Sequence, residues 1–277
     1  MSEKRKPRRW WGSPAPGIVT SLPNGDIVCA DALDCVNALR DGCADIVFLD
    51  PPFNLGKAYG KNGSQGDKKK EEEYLDYMRR VIHRSAALLR PGGALYLYHM
   101  PKWAIGLTPF LEEVLQFRHW IAISMKNGFV RGDHLYPAHY ALLYYTNGKP
   151  AKFYRPKIPR PVCAKCRRDL RDYGGYKEYV KNGINLSDVW DDVSPVRHRK
   201  TKARAANELP LLIPQRAVAI SGRTRGLLVD PFAGGGSAPF AAAAANMRFV
   251  ACDREAQYCE LIYQRLRAAQ QAEKEEA

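Results

Sequence analysis

The sequence predicts an α/β protein built on a doubly wound, mostly parallel sheet. Short apolar segments of strand type alternate with amphipathic helical segments along most of the 277 residues, a pattern that places helices on both faces of a sheet. Asp31, Asp50 and Asp230 each follow the end of a predicted strand, and ligands of such sheets bind beyond the carboxyl ends of the strands. No apolar run approaches the ~20 residues needed to cross a membrane. With 45% hydrophobic and 26% charged residues, the chain can bury a full core.

Residues 1–24 mix basic residues, prolines and glycines without periodicity, and they read as an arm that is disordered or lies on a polyanionic partner. A strand is predicted over 26–30 and a helix over 32–40, with Asp31 between them in a position that also suits a helix N-cap. Residues 46–49 form a buried strand leading into Asp50-Pro51-Pro52-Phe53-Asn54. The polar segment 57–70 behind it has the composition of a loop that closes over a substrate. Apolar residues at helical spacing predict a helix over 74–90, stopped by Pro91-Gly92-Gly93. A strand over 94–98, a helix over 107–117 and strands over 119–123 and 140–146 follow. His119 reads as a packed or surface residue rather than a ligand.

Residues 149–206 break the alternation with prolines, basic residues and Tyr173-Gly174-Gly175-Tyr176. Asn207-Glu208-Leu209-Pro210 then opens a helix to Ser221, with Asn207 suited to cap it. A strand over 226–229 leads into Asp230-Pro231-Phe232-Ala233 and the turn Gly234-Gly235-Gly236-Ser237, where glycines let the backbone pass close under a ligand. The turn opens a helix over 237–246, and a strand over 248–252 ends at Asp253, followed by a helix over 256–269. Asp253 stands at a distance from the glycines that suits hydrogen bonding to ribose hydroxyls.

The chemistry of the first turn is the sharper signal. Two prolines fix φ and delete two backbone donors, so the loop is stiff and offers the Asp50 carboxylate and proline carbonyls as acceptors. Phe53 adds a flat apolar face and Asn54 an adaptable polar group. Together they suit a planar ring with an exocyclic amine; a strand end with a proline stop and a surface acid is the bland reading.

Asp50-Pro51-Pro52-Phe53 resembles the catalytic motif of DNA amino-methyltransferases, which methylate N6 of adenine or N4 of cytosine. The stretch from Asp230 through Pro231, Phe232, Ala233, Gly234, Gly235 and Gly236 to Ser237 resembles their S-adenosylmethionine-binding motif. The order of the motifs, catalytic first and cofactor last, is that of the β class, and the resemblance covers about residues 25–270. It implies a Rossmann-like methyltransferase fold in permuted order, with a basic arm at 1–24, a catalytic half at 25–148, a target-recognition region at 149–206 and a cofactor-binding half at 207–277. It also assigns Asp31, Asn207, Glu208 and Asp253 to the cofactor, although the Lys-Pro pair usual near Asn207 is missing and Glu is usual where Asp253 stands. Asp50 favours adenine, because cytosine-N4 enzymes more often begin the motif with Ser; N4 of cytosine is the alternative. The implied partners are double-stranded DNA, a second copy of the chain and a restriction nuclease. Rivals are a DNA-binding protein that no longer methylates and an amino-methyltransferase acting on RNA; the motif acid and order argue against a protein glutamine enzyme.

The net charge of +14 fits a polyanionic partner. Residues 151–204 alone hold fifteen Lys or Arg against six Asp or Glu, suited to phosphate neutralisation and equally to a solvated basic face. Seven scattered cysteines do not form a disulfide framework, and Cys29 and Cys252 read as packing residues. Cys163 and Cys166 have the spacing of half a zinc site, which His134, His139, His198 or another subunit would have to complete; paired structural thiols are the other reading. The basic N-terminus is not followed by an apolar stretch, so the expected location is cytoplasmic.

Overall fold

The computed structural model describes residues 10–54, 69–124, 133, 135, 137–160, 162, 174–194 and 208–275. Cys163, Cys166, Asn207, His134, His198 and segment 57–68 lie outside the described residues. In chain order the elements are β1 (Ile18–Leu22), β2 (Gly25–Cys29), α1 (Ala32–Ala38), β3 (Ala44–Leu49), α2 (Glu71–Leu88), β4 (Leu89–His99), α3 (Pro101–Glu112), β5 (Gln116–Ser124) and β6 (His139–Thr146). There follow β7 (Lys157–Ile158), α4 (Tyr176–Tyr179), β8 (Ile184–Asn185), β9 (Val189–Trp190), α5 (Leu212–Ser221), β10 (Leu227–Asp230), α6 (Ser237–Ala244), β11 (Arg248–Asp253) and α7 (Ala256–Glu275).

Nine strands form one sheet in the order β1-β2-β11-β10-β3-β4-β6-β5-β9. The central run from β2 to β4 is parallel throughout, while β6 is antiparallel to both β4 and β5. Alternate residues of each strand feed opposite faces. Val47 and Leu49 of β3, with Leu95 and Leu97 of β4, join the core under α1, α2 and α3. Ile46 and Phe48, with Tyr96 and Tyr98, join the core under α5, α6 and α7. Burial on both faces explains why these strands read as unbroken apolar runs.

The structure corrects four expectations. Residues 10–24 are packed on the domain: β1 pairs antiparallel with β2 around a two-residue turn. The Trp10 and Trp11 indoles and the Ser21 hydroxyl all donate to the buried Asp26 carboxylate. The β-branched run Ile18-Val19-Thr20 ahead of Asn24-Gly25 was the hairpin signal. Second, α2 ends at Leu88 and Pro91-Gly92-Gly93 lies within β4. The register against β3 shifts there, between Ala44 and Ile46, and Gly92 takes a φ of +76°, so the donor-less proline is accommodated in an irregularity. Third, the helix expected over 107–117 is α3, which begins at Pro101 in the first turn, where proline costs no hydrogen bond. Fourth, the break at 149–206 is incomplete, because β9 pairs in parallel with β5 and extends the main sheet.

Behind β9, Asp192 receives both Nη1 and Nη2 of the buried Arg216 of α5, whose guanidinium lies 5.0 Å from the Trp190 ring centre. His119 stacks on Tyr144 with ring centres 6.3 Å apart. Cys252 is buried and Cys29 half-buried; both are free thiols. Among the described residues there is no cluster of metal-ligating side chains and no helix long and apolar enough to cross a membrane.

Candidate active site

The adjacent parallel strands β2, β11, β10 and β3 deliver Asp31, Asp253, Asp230 and Asp50 to the same edge of the sheet. From β3 the chain crosses to β4 on one side, and from β10 it crosses to β11 on the other. The crevice between β3 and β10 is therefore a topological switch point, the place where such sheets bind ligands.

Asp230 is buried, and its Oδ1 accepts the Phe232 N–H at 3.0 Å. Burial pushes its carboxyl well above the usual carboxylate range, and the negative charges of Asp50 and Asp253 add to the effect. Gly234 and Gly236 occupy left-handed conformations at φ +48° and +84°, and a Cβ on Gly236 would meet the Ile262 side chain at 3.0 Å. Asp253 closes the glycine turn: Oδ2 accepts the Gly234 N–H and Oδ1 the Glu255 N–H, both at 2.9 Å. Pro231, Ala233 and Gly235 are buried, while Phe232 is half-buried against the opposite core.

Glu208 precedes α5 rather than entering it. Arg265 of α7 donates to the Gly235 carbonyl and lies 3.4 Å from Glu208 Oε1, and Ser237 Oγ donates to the Leu209 carbonyl at 2.8 Å. Segment 208–209 thus sits beside the glycine turn. Asp31 is the N-cap of α1, accepting the Leu33 N–H at 2.8 Å, and the Tyr77 hydroxyl lies 3.4 Å from both its oxygens.

The Asp50 turn rests on aromatic rings. Phe53 is buried, with ring centres of His99, Tyr140 and Tyr98 at 4.9, 5.6 and 6.0 Å. Its ring is largely covered, which narrows the free face expected from the sequence. The Tyr98 and Tyr140 hydroxyls titrate above the usual phenol range, first through burial and then through the charge of Asp50 nearby. The Pro52 carbonyl accepts the Tyr74 hydroxyl at 2.8 Å. Asn54, at φ +54°, bonds its amide to the Lys69 backbone.

The structure thus places Asp31, Asp50, Asp230 and Asp253 at one sheet edge with Glu208 beside the glycine turn, while the Asn54 amide is bonded to Lys69 and His139 opens β6. Sequence reasoning passed over His99, Tyr74, Tyr98, Tyr140 and Arg265. His99 had a usable signal: it is a polar residue closing a buried strand, the same placement that identified the acids.

A family model described as DNA methylase, of the N6/N4 type, matches residues 44–264. The type II methyltransferase M.BamHI of Bacillus amyloliquefaciens is 37% identical over 254 residues, covering 91% of this chain; the chain spans 59% of that relative's length. Among solved structures, the PvuII DNA methyltransferase (cytosine-N4-specific) superposes with a TM-score of 0.65 at 13% identity, covering 91% of this chain and 89% of that one. The DNA modification methylase TTHA0409 of Thermus thermophilus, complexed with S-adenosyl-L-methionine, gives 0.59 at 19% identity, covering 87% and 94%. The family match runs from the strand that carries Asp50 to the helix that holds the glycine turn, and this chain belongs to the N6/N4 DNA methylase family.

Proposed function

We propose that the protein transfers a methyl group from S-adenosylmethionine to N6 of adenine in double-stranded DNA. The observation that carries this reading is the adjacency of the Asp50 turn and the Asp230 glycine turn on neighbouring strands β3 and β10.

The residues present fit the cofactor. Four carboxylates gather at one sheet edge of a chain with net charge +14, and a sulfonium with an ammonium group is the complementary ligand. Asp230 and the turn through Gly236 would line its binding place, with Asp31, Asp253 and Glu208 around it. When bound, it supplies an electrophilic methyl group.

An aromatic amine is a poor nucleophile, because its lone pair is delocalised into the ring. Asp50 and the Pro51 carbonyl would accept the two amine hydrogens and favour a tetrahedral nitrogen with an exposed lone pair, and the proton that the nitrogen sheds on methylation would leave along the Asp50 hydrogen bond to water. Alignment then supplies much of the rate. The base must leave the duplex to reach this turn, and the aromatic group of Phe53, Tyr98 and Tyr140 offers an apolar wall in place of lost stacking. Basic residues in 151–204 neutralise phosphate.

N4 of cytosine is the second reading: the PvuII enzyme, whose fold the chain shares, is cytosine-N4-specific, and the same acceptors serve either amine. The deciding experiment is mass spectrometry of nucleosides from unmethylated duplex DNA incubated with the protein and S-adenosylmethionine, with Asp50→Ala as control. N6-methyladenine absent from the variant is the expected product. N4-methylcytosine keeps the mechanism and changes the base, and no methylated base overturns the reading.

A further inference from the structure

Pro51 and Pro52 contribute carbonyls to the turn but no N–H groups, so at these positions the turn cannot close itself with its own backbone donors. A donor must come from outside. Tyr74 of α2 supplies one, with its hydroxyl 2.8 Å from the Pro52 carbonyl.

The same hydroxyl lies 2.7 Å from Nε2 of His99, which is fully buried at the end of β4. The register of β4 against β3, Leu97 opposite Leu49, brings His99 level with the turn. The backbone N–H of Met100 donates to Nδ1 of His99 at 2.8 Å. A nitrogen that accepts carries no proton, so the neutral ring bears its proton on Nε2 and donates it to the Tyr74 oxygen. The phenolic proton is then directed to Pro52. The hydrogen bonds run in one direction, from Met100 through His99 and Tyr74 to the turn. The imidazole also stacks on Phe53 at 30° between ring planes, so it touches one residue of the turn directly and reaches the preceding one through Tyr74. Burial keeps the imidazole neutral, its pKa pushed down to about 3.

The geometry points to His99 and Tyr74 as positioning residues for methyl transfer: a relay of fixed polarity that anchors the Pro52 carbonyl and thereby aims Asp50 and the Pro51 carbonyl at the target amine. This rests on the reading of the turn as the methyl-transfer centre. Neither residue touches the base; each acts through the backbone of the turn.

The test combines steady-state kinetics with ¹⁵N NMR of the histidine ring. Tyr74→Phe keeps the ring against Trp103, 4.8 Å between centres, and deletes only the hydroxyl. It should lower kcat about 10- to 100-fold, the scale of a small misplacement of reacting groups, and leave KM for DNA and cofactor within about twofold. His99→Gln can place an amide N–H near the Nε2 position and should retain more kcat than His99→Asn, which cannot reach Tyr74. In the wild-type protein the ¹⁵N shifts should report Nε2 protonated and Nδ1 bare. A Tyr74→Phe kcat equal to wild type, equal kcat values for the two His99 variants, or an Nδ1-protonated ring overturns the relay. If Tyr74→Phe fails to fold, the His99 pair and the ring tautomer still decide. A wild-type protein that shows the tautomer but methylates no DNA counts against the methyl-transfer reading and leaves the anchoring of the turn standing.

Discussion

Asn54 and Lys69 are joined amide to amide: the Lys69 N–H donates to Asn54 Oδ1 at 2.6 Å, and Asn54 Nδ2 donates to the Lys69 carbonyl at 3.2 Å. The Lys69 ammonium lies 4.5 Å from the ring centre of Tyr77, whose hydroxyl approaches Asp31. One asparagine therefore ties the far end of the Asp50 turn to the residues leading into α2. The sequence reading offered Asn54 as an adaptable polar group of the turn, and in the structure both ends of its amide are engaged in this clip.

The clip and the backbone of Asn54 can be separated by substitution. Glycine at this position keeps the left-handed conformation and deletes both hydrogen bonds, whereas alanine deletes them and adds the strain of a Cβ at positive φ. Thermal unfolding should rank wild type above Asn54→Gly and Asn54→Gly above Asn54→Ala, the last gap corresponding to about 1–2 kcal/mol. An alanine variant as stable as the glycine variant would show that the backbone is not held at φ +54°.

Asp230 makes stability depend on pH in a defined direction. Its folded pKa is raised above the unfolded value by burial, with Asp50 and Asp253 adding to the shift. The neutral form is thus the one the fold prefers: its contribution is complete below the unfolded pKa of about 3.9 and is lost as pH rises through the folded pKa. Asp230→Asn keeps an oxygen for the Phe232 N–H and cannot ionise. Measured without cofactor, the Tm of the variant should exceed that of wild type by a margin that widens with pH, at about 2–4 °C for each kcal/mol relieved in a chain of this size. A margin that shrinks with rising pH would reverse the sign argued here.

Asp192 and Arg216 form an asymmetric pair, since the arginine side chain is only 9% exposed while that of the aspartate is 48% exposed. Removing the acid strands a buried cation; removing the arginine leaves a carboxylate that water can reach. Asp192→Ala should therefore cost about 2–3 kcal/mol in denaturant unfolding, against about 1 kcal/mol or less for Arg216→Met. Equal losses would mean that the cation finds another way to water.

At Asp26, one carboxylate accepts from two indoles and a hydroxyl. Asp26→Asn turns part of that acceptor into a donor facing donors, and it should destabilise the protein by about 1–3 kcal/mol. Tryptophan fluorescence should shift to the red as Trp10, buried in the native protein, gains contact with water. Unchanged emission would detach the N-terminal segment from this anchor.

Much of the fold could be read before the coordinates. β3, β10 and β11 are buried on both faces, so each appears as an apolar run, and β10 and β11 each end in an acid. The two turns could be read because proline and glycine constrain backbone in ways that survive without tertiary information. Pairings across long separations left no local trace: Trp10 with Asp26, Tyr74 with His99 and Asp192 with Arg216 join elements whose own periodicity is silent about their neighbours. β9, only two residues long, falls below what alternation can reveal. β1 was obscured by the prolines and glycines around Ile18.

On the proposed function, the row formed by Asp31, Asp253 and Asp50 around the buried Asp230 acts as a sieve for what approaches. In the proposed reaction the chain's net charge of +14 draws in a phosphate backbone, but within about 8 Å, the reach of unscreened charge at physiological salt, the ionised carboxylates of this row repel it. A nucleobase carries no net charge and crosses this zone freely. On the proposed function, the phosphates of a docked strand are thus held outside the crevice at the place where an uncharged base enters.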